Sequence, residues 1–160
     1  MLVFDASSLI LAWDNYPVEQ FPGLWEWMDG QFSSGEFQVP RVAFDEVRQK
    51  IPEFADWLKN HGAEPLATTP GVLLDARRIK QLLGIEEENY HPKGVGENDL
   101  LIIATAREQE ARLVTDEARQ FGQQKDPRKR KIPAVCDMAG VDVVSLSFLE
   151  TIKEYGAVFR

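Results

Sequence analysis

The sequence has a single cysteine, Cys136, so no internal disulfide can form. That fits a reducing compartment, and a cytoplasmic protein is expected. Histidine is nearly as scarce: His61 and His91 have no paired spacing and no obvious partner, which disfavours zinc and leaves them as surface or loop residues. No apolar run approaches the roughly 20 residues that span a bilayer, so no membrane contact is expected. The N-terminus, MLVFDASSLI, lacks the basic lead of a signal peptide and meets an acid at Asp5, so it reads as a strand. No glycine-rich loop matches a dinucleotide or P-loop pattern. Neither a repeat nor a low-complexity linker divides the chain, and one domain over residues 1–160 is expected. Basic residues are outnumbered, 18 against 26 acids, for a net charge of −8. A protein that coats nucleic acid by charge alone is thereby disfavoured. A nuclease is not, because carboxylates gathered at a metal site lower the net charge and a bound divalent cation offsets them.

What is present is an alternation of short strand-like and longer helical stretches. LVFDAS (2–7) reads as a buried strand and SLILAW (8–13) as a short helix. In 23–32 the helical spacing puts Phe21, Trp25, Met28 and Phe32 on one face. FQVP (37–40) is strand-like. RVAFDEVRQK (41–50) is helical, and Pro52 opens a second helix that Gly62 stops. AEPLA reads as a third short strand and GVLLDARRIKQLLG (71–84) as an amphipathic helix. EEENYHPKGVG is a polar loop before the helix ENDLLIIATAREQE (97–110). ARLVTDE (111–117) and VDVVSLS (141–147) are strands, IPAVCDMAG a short helix and SFLETIKEYGAVF a terminal one. Strands alternating with helices imply an α/β fold, with a mainly parallel sheet covered on both faces.

The acids fall unevenly on this frame. Asp5 ends the first strand, and Asp116 and Glu117 end the strand LVT. Parallel sheets bind ligands at the carboxyl ends of their strands, so these acids belong on one edge. In helix 41–50 the apolar stripe runs Val42, Ala43, Val47 and Ile51, and Glu46 lies on it. Asp45 lies on the polar side with Arg41, Arg48 and Gln49. Asp99 lines up with Ile102, Ile103 and Ala106. The bland reading of Asp99 is an acid in a first helical turn, satisfied by backbone N–H groups. Glu97 and Asn98 offer themselves as caps instead, which leaves Asp99 free. Asp5, Glu46, Asp99 and an acid at 116 or 117 on one edge would repel, and at least one pKa would rise. A hard divalent ion removes the conflict, and Mg²⁺ or Mn²⁺ suits an all-oxygen donor set.

Taken in order, these stretches resemble the PIN-domain family, especially the VapC-like ribonuclease toxins of toxin–antitoxin pairs. DASSLI is similar to the family's opening, which implies Asp5 as a ligand and Ser7 as its helper hydroxyl. The family's middle acid matches Glu46, and NDLLIIATA resembles the helix start that would supply Asp99. LVTDE resembles the family's strand end after Thr115, where the acid two residues on is Glu117. Asp116 stands in the spacer as a substitute. FPGLWEWM, KIPAVCDMAGV and FLETIKEYGAVF resemble a PIN branch described as a domain of unknown function. The resemblance implies a three-layer α/β/α sandwich, Mg²⁺- or Mn²⁺-dependent cleavage of RNA phosphodiesters, an antitoxin partner and a homodimer as a further assembly. The alternative is a non-catalytic PIN-like module that binds RNA or a protein.

Three features stand beside the acids. The run KDPRKRK (125–131) either contacts RNA phosphates or is a solvated loop, with equal claim. Trp27 falls off the helix stripe and suits either an exposed protein interface or packing beneath a neighbouring segment. Cys136 reads as a small buried apolar residue.

Overall fold

The computed structural model describes residues 1–122 and 124–160. Four strands form one parallel sheet in the order β2-β1-β3-β4. They are β1 (Leu2–Phe4), β2 (Phe37–Gln38), β3 (Arg112–Val114) and β4 (Ser145–Leu146). Val3 is paired with Gln38 on one side and Leu113 on the other, and Val114 with Leu146. Eight α-helices accompany the strands among the described residues: α1 (Ala6–Asn15), α2 (Pro22–Ser33), α3 (Arg41–Lys50), α4 (Pro52–Asn60), α5 (Pro70–Leu82), α6 (Glu97–Glu108), α7 (Ile132–Cys136) and α8 (Phe148–Glu154). The result is the expected α/β architecture, a central parallel sheet flanked by helices. None of the described helices is long and apolar enough to cross a membrane.

The sheet is short, so side chains rather than ladder hydrogen bonds hold it. Every residue of β1 is buried. The Phe4 ring lies 4.9 Å from that of Phe37, 6.0 Å from Phe32 and 6.5 Å from Phe148, joining β1 to β2, α2 and α8. A second aromatic cluster sets Trp25 edge-on to Trp13, Phe54 and Trp57. On the other side of the chain α5 packs along α6, and α6 touches β1 and β3.

Several sequence expectations need correction. The first strand stops at Phe4, because Asp5 accepts the Ser8 N–H and caps α1, so the helix begins two residues before the expected position 8. In α2, Phe21 is the N-cap and is exposed, while Leu24 takes the buried place beside Trp25, Met28 and Phe32. AEPLA contributes one bridge, Pro40 to Leu66, and no strand. Pro65 has no N–H to extend a ladder. Of VDVVSLS only Ser145 and Leu146 pair as strand. The buried stripe of α3 is Ala43, Phe44 and Val47, with Val42 half-buried at its margin. For Trp27 the packed of the two readings fits: it is half-buried, and its ring meets Phe37, Tyr155 and Phe159.

Because Phe4 joins four elements at full burial, Phe4→Ala should destabilise the fold by about 3–5 kcal/mol in urea titration. A loss under about 1 kcal/mol would show that the contacts around β1 do not anchor the sheet.

Candidate active site

Where parallel strands end, their last carbonyls and the following residues open on one edge. Asp5 follows β1 there and is 2% exposed. Its two oxygens are held separately: the Ser7 hydroxyl donates to Oδ2 at 2.8 Å and the Ser8 N–H to Oδ1 at 2.8 Å. Ser8 Oγ reaches the carbonyls of Asp5 (3.1 Å) and Val114 (3.2 Å), bracing the neighbouring strand ends. Burial raises the Asp5 pKa, and hydrogen bonds from Thr115, Ser8 and Ser7 oppose that rise. Thr115, also buried, accepts the Glu117 N–H on the same hydroxyl oxygen at 3.2 Å.

Asp99 enters from the first turn of α6. Its N-cap is Gly96, which offers no side-chain bond, and Asp99 Oδ2 instead accepts the Gly96 N–H at 2.9 Å. Asp99 is therefore itself the closing acid of the helix, contrary to the expectation that Glu97 or Asn98 would relieve it. Asn98 is engaged elsewhere, since its Nδ2 donates to Glu46 Oε1 at 2.9 Å and ties α6 to α3. Glu46 is half-buried at the margin of the stripe rather than aimed into the core. Asp45, the residue before it, pairs with Arg48 at 3.0 Å. A cavity of about 330 Å³ opens here, lined by Val42, Asp45, Glu46, Arg48, Gln49 and Asn98.

The electrostatics show which acids share a neighbourhood. Burial pushes the Asp99 pKa up to about 7, and the charges of Glu117, Glu46 and Asp5 push the same way against the Gly96 hydrogen bond. Glu117 is raised first by burial, then by Asp5 and Glu46; the Ile132 N–H, at 2.9 Å, and the Lys131 charge lower it. Asp116 is raised by burial too, but its charged neighbours are Asp5 and Glu150, and its oxygens lie 3.4 Å from the Phe148 N–H. Asp5, Glu46, Asp99 and Glu117 thus form one electrostatic group, with Asp116 turned toward the start of α8. Burial raises the Cys136 thiol to about 12, with Asp137, Asp5 and Glu117 adding to it, so this thiol is inert at neutral pH. Neither histidine joins the group. His61 stacks on Trp57 and faces Asp29, and His91 accepts the Lys93 N–H.

Among the described residues, no three His, Cys, Asp or Glu side chains already converge as a metal-binding group. The donor chemistry still suits Mg²⁺, which commonly keeps several waters and takes one or two carboxylates from the protein.

The family described as "Domain of unknown function (DUF4411)" matches residues 2–159. The chain belongs to that family. Among solved structures, it is similar to a chain of the crystal structure of VapBC2 from Rickettsia felis bound to a DNA fragment from their promoter. The TM-score is 0.53 at 12% identity, over 92% of this chain and 99% of that one. No curated protein matches the sequence. At that identity the VapBC2 likeness is one of fold, and the residue roles in this DUF4411 member rest on its own geometry.

The Asp99 shift fixes a pH dependence. Its carboxyl has an ordinary value of 3.8 in the unfolded chain and about 7 when folded. Between those values the folded state holds the extra proton, so metal-free stability should fall as pH rises through that window, with the loss complete above about 7. Asp99→Asn retains an oxygen for the Gly96 N–H but sheds the charge. Thermal melts without metal should find it more stable than wild type at pH 8, by on the order of 1–3 kcal/mol, and little different near pH 4. A variant less stable at both pH values would make helix closure the dominant role of Asp99.

Proposed function

We propose that this protein is a metal-dependent endoribonuclease of the PIN type, the toxin half of a toxin–antitoxin pair. One observation carries the reading: four carboxylates from β1, α3, α6 and the end of β3 lie within electrostatic reach, and together with burial they push the Asp99 pKa to about 7. A cluster of that kind is costly to keep charged without a cation. Asp5, Glu46, Asp99 and Glu117 would hold Mg²⁺ or Mn²⁺, with Asp116 as the weaker candidate because its oxygens, though near Asp5, face the Phe148 N–H and Glu150. When bound, such an ion supplies an activated water and offsets charge on the phosphate and the leaving oxygen.

The chain's own residues do the positioning. Ser7 and the Ser8 N–H fix both Asp5 oxygens. Thr115 holds the turn that carries Glu117, and the Ile132 N–H fixes one Glu117 oxygen. Asn98 orients Glu46. No covalent protein intermediate is required, and Ser7, being committed to Asp5, is not a nucleophile. The VapBC2 fold likeness supports an antitoxin partner. The buried lone thiol fits a reducing cytoplasm.

Unlabelled RNA incubated with the purified protein should be cut in Mg²⁺ or Mn²⁺ and left intact in excess EDTA. Asp5→Asn, Asp99→Asn and Glu117→Gln should each reduce cleavage at least about 100-fold, while Asp45→Asn and Asp116→Asn stay within about tenfold of wild type. Cleavage that persists in EDTA contradicts the mechanism. Binding of RNA by a correctly folded protein that never cuts it favours the non-catalytic alternative. The toxin assignment separately requires growth arrest on expression, relieved by a protein encoded beside it.

A further inference from the structure

Phe121 is 92% exposed, more than any other large apolar side chain among the described residues. A phenyl ring left in water forgoes the burial that stabilises the other aromatic residues of this chain. Its location is informative. It stands four residues after Glu117, at most about 14 Å of extended chain. The residue before it is clamped: Gln120 Nε2 donates to the Lys129 carbonyl at 3.0 Å, and Gln120 Oε1 accepts the Lys131 N–H at 2.9 Å. The next N–H, that of Ile132, is the one held by Glu117. The ring is therefore carried on a segment bound on one side to the acid group and on the other to the basic run 125–131.

That run holds five cations against the single acid Asp126 in a chain of net charge −8. Arg128 is committed, to Asp126 at 2.7 Å and to the Asn89 carbonyl at 3.2 Å. The Val95 N–H donates to the Arg130 carbonyl at 2.9 Å, and a Cβ on Gly94 would collide with the Arg128 carbonyl. These contacts seat the run against the loop that leads into α6. Lys125, Lys129, Arg130 and Lys131 form no ion pair among the described residues. A cavity of about 290 Å³ adjoins the ring's segment, lined by Gln120, Gly122, Gln124, Arg130, Asp137 and Met138.

We infer that the site takes single-stranded RNA, with an unpaired base stacked on the Phe121 ring and adjoining phosphates on Lys125, Lys129, Arg130 and Lys131. The inference rests on the ribonuclease reading for the identity of the strand. An exposed ring on a segment tied to a basic run can offer a flat face to a base, and only an unpaired base has its face free; a duplex buries it. A strand reaching an acidic protein also needs local positive charge, which this run supplies. A protein partner fits less well, because interface centres are depleted of charge, whereas Phe121 stands between glutamine and glycine on a segment hydrogen-bonded to the basic run.

The test is fluorescence anisotropy in Mg²⁺ on the full chain, with a labelled single-stranded oligonucleotide whose riboses are 2′-O-methylated to prevent cleavage. A hairpin duplex of the same length is the comparison. Wild type should prefer the single strand. Phe121→Ala should weaken that binding at least about fivefold and leave hairpin binding unchanged, while Phe121→Trp restores it. Lys129→Ala and Lys131→Ala should each lower the slope of log affinity against log salt by about 0.7. Phe121 is 92% exposed, so its variants should melt like wild type. Unchanged binding by Phe121→Ala, a preference for the hairpin, or no oligonucleotide binding at all would overturn the inference. So would a Phe121→Ala variant that loses only a dimer of the chain. Phe121-dependent binding without cleavage of unmodified RNA would refute the ribonuclease reading and leave this inference standing; cleavage indifferent to Phe121 would do the reverse.

Discussion

Burial of carboxylates close to one another, Asp5, Asp99 and Glu117 with Glu46 at the margin, is the constraint around which this edge of the molecule is built. Each acid is held by a donor that the fold places beside it. Asp5 caps α1, Asp99 closes the start of α6, Glu117 accepts the Ile132 N–H at the start of α7, and Glu46 accepts from Asn98. Backbone N–H groups at helix starts carry partial positive charge, so they offset part of the crowding without a cation. The balance at Asp99 still lies with the neutral form, because burial first and the charges of Glu117, Glu46 and Asp5 after it push its carboxyl up to about 7.

The rest of the fold serves to hold these acids in register. Strands of two or three residues give little hydrogen-bonded stiffness, and the rings around Phe4 supply it instead. The Asp5 N–H donates to the Val114 carbonyl, and Thr115 donates its own N–H to Leu146, so the acids after β1 and β3 are locked to each other and to β4. The placement of the carboxylates in such an arrangement depends on the aromatic packing around the sheet as much as on the carboxylates themselves.

Much of this was legible from residue order. The acids closing LVF and LVT identified the sheet edge, because apolar runs of strand formers predict buried strands and parallel topology sends their ends to one side. Asp99 was legible by helical phase. Its capping role was missed because Gly96, lacking a side chain, leaves the helix start to Asp99. Glu46 was picked by its alignment with Val42, yet Val42 proved marginal and Phe44 central, so Glu46 lies shallower than its alignment implied. The choice between Asp116 and Glu117 turned on contacts distant in sequence, with Ile132 and Phe148, that no local pattern encodes. The Asn98 hold on Glu46 and the exposure of Phe121 were not read from the sequence. An amide beside the acid in ENDLL was the available signal for the first, and an aromatic between glutamine and glycine ahead of a basic run was the signal for the second. Trp27 gave no such cue, since the C-terminal residues Tyr155 and Phe159 cover it.

The most direct test of the central claim is a carboxyl-carbon NMR titration of selectively labelled aspartate in the wild-type protein, with and without Mg²⁺. Without metal, Asp99 should titrate near neutrality, and saturating Mg²⁺ should move its midpoint well below that while leaving exposed aspartates unchanged. An Asp99 that titrates in the ordinary carboxylate range, and that Mg²⁺ does not move, would contradict both the electrostatic grouping of the four acids and the cation site built on it.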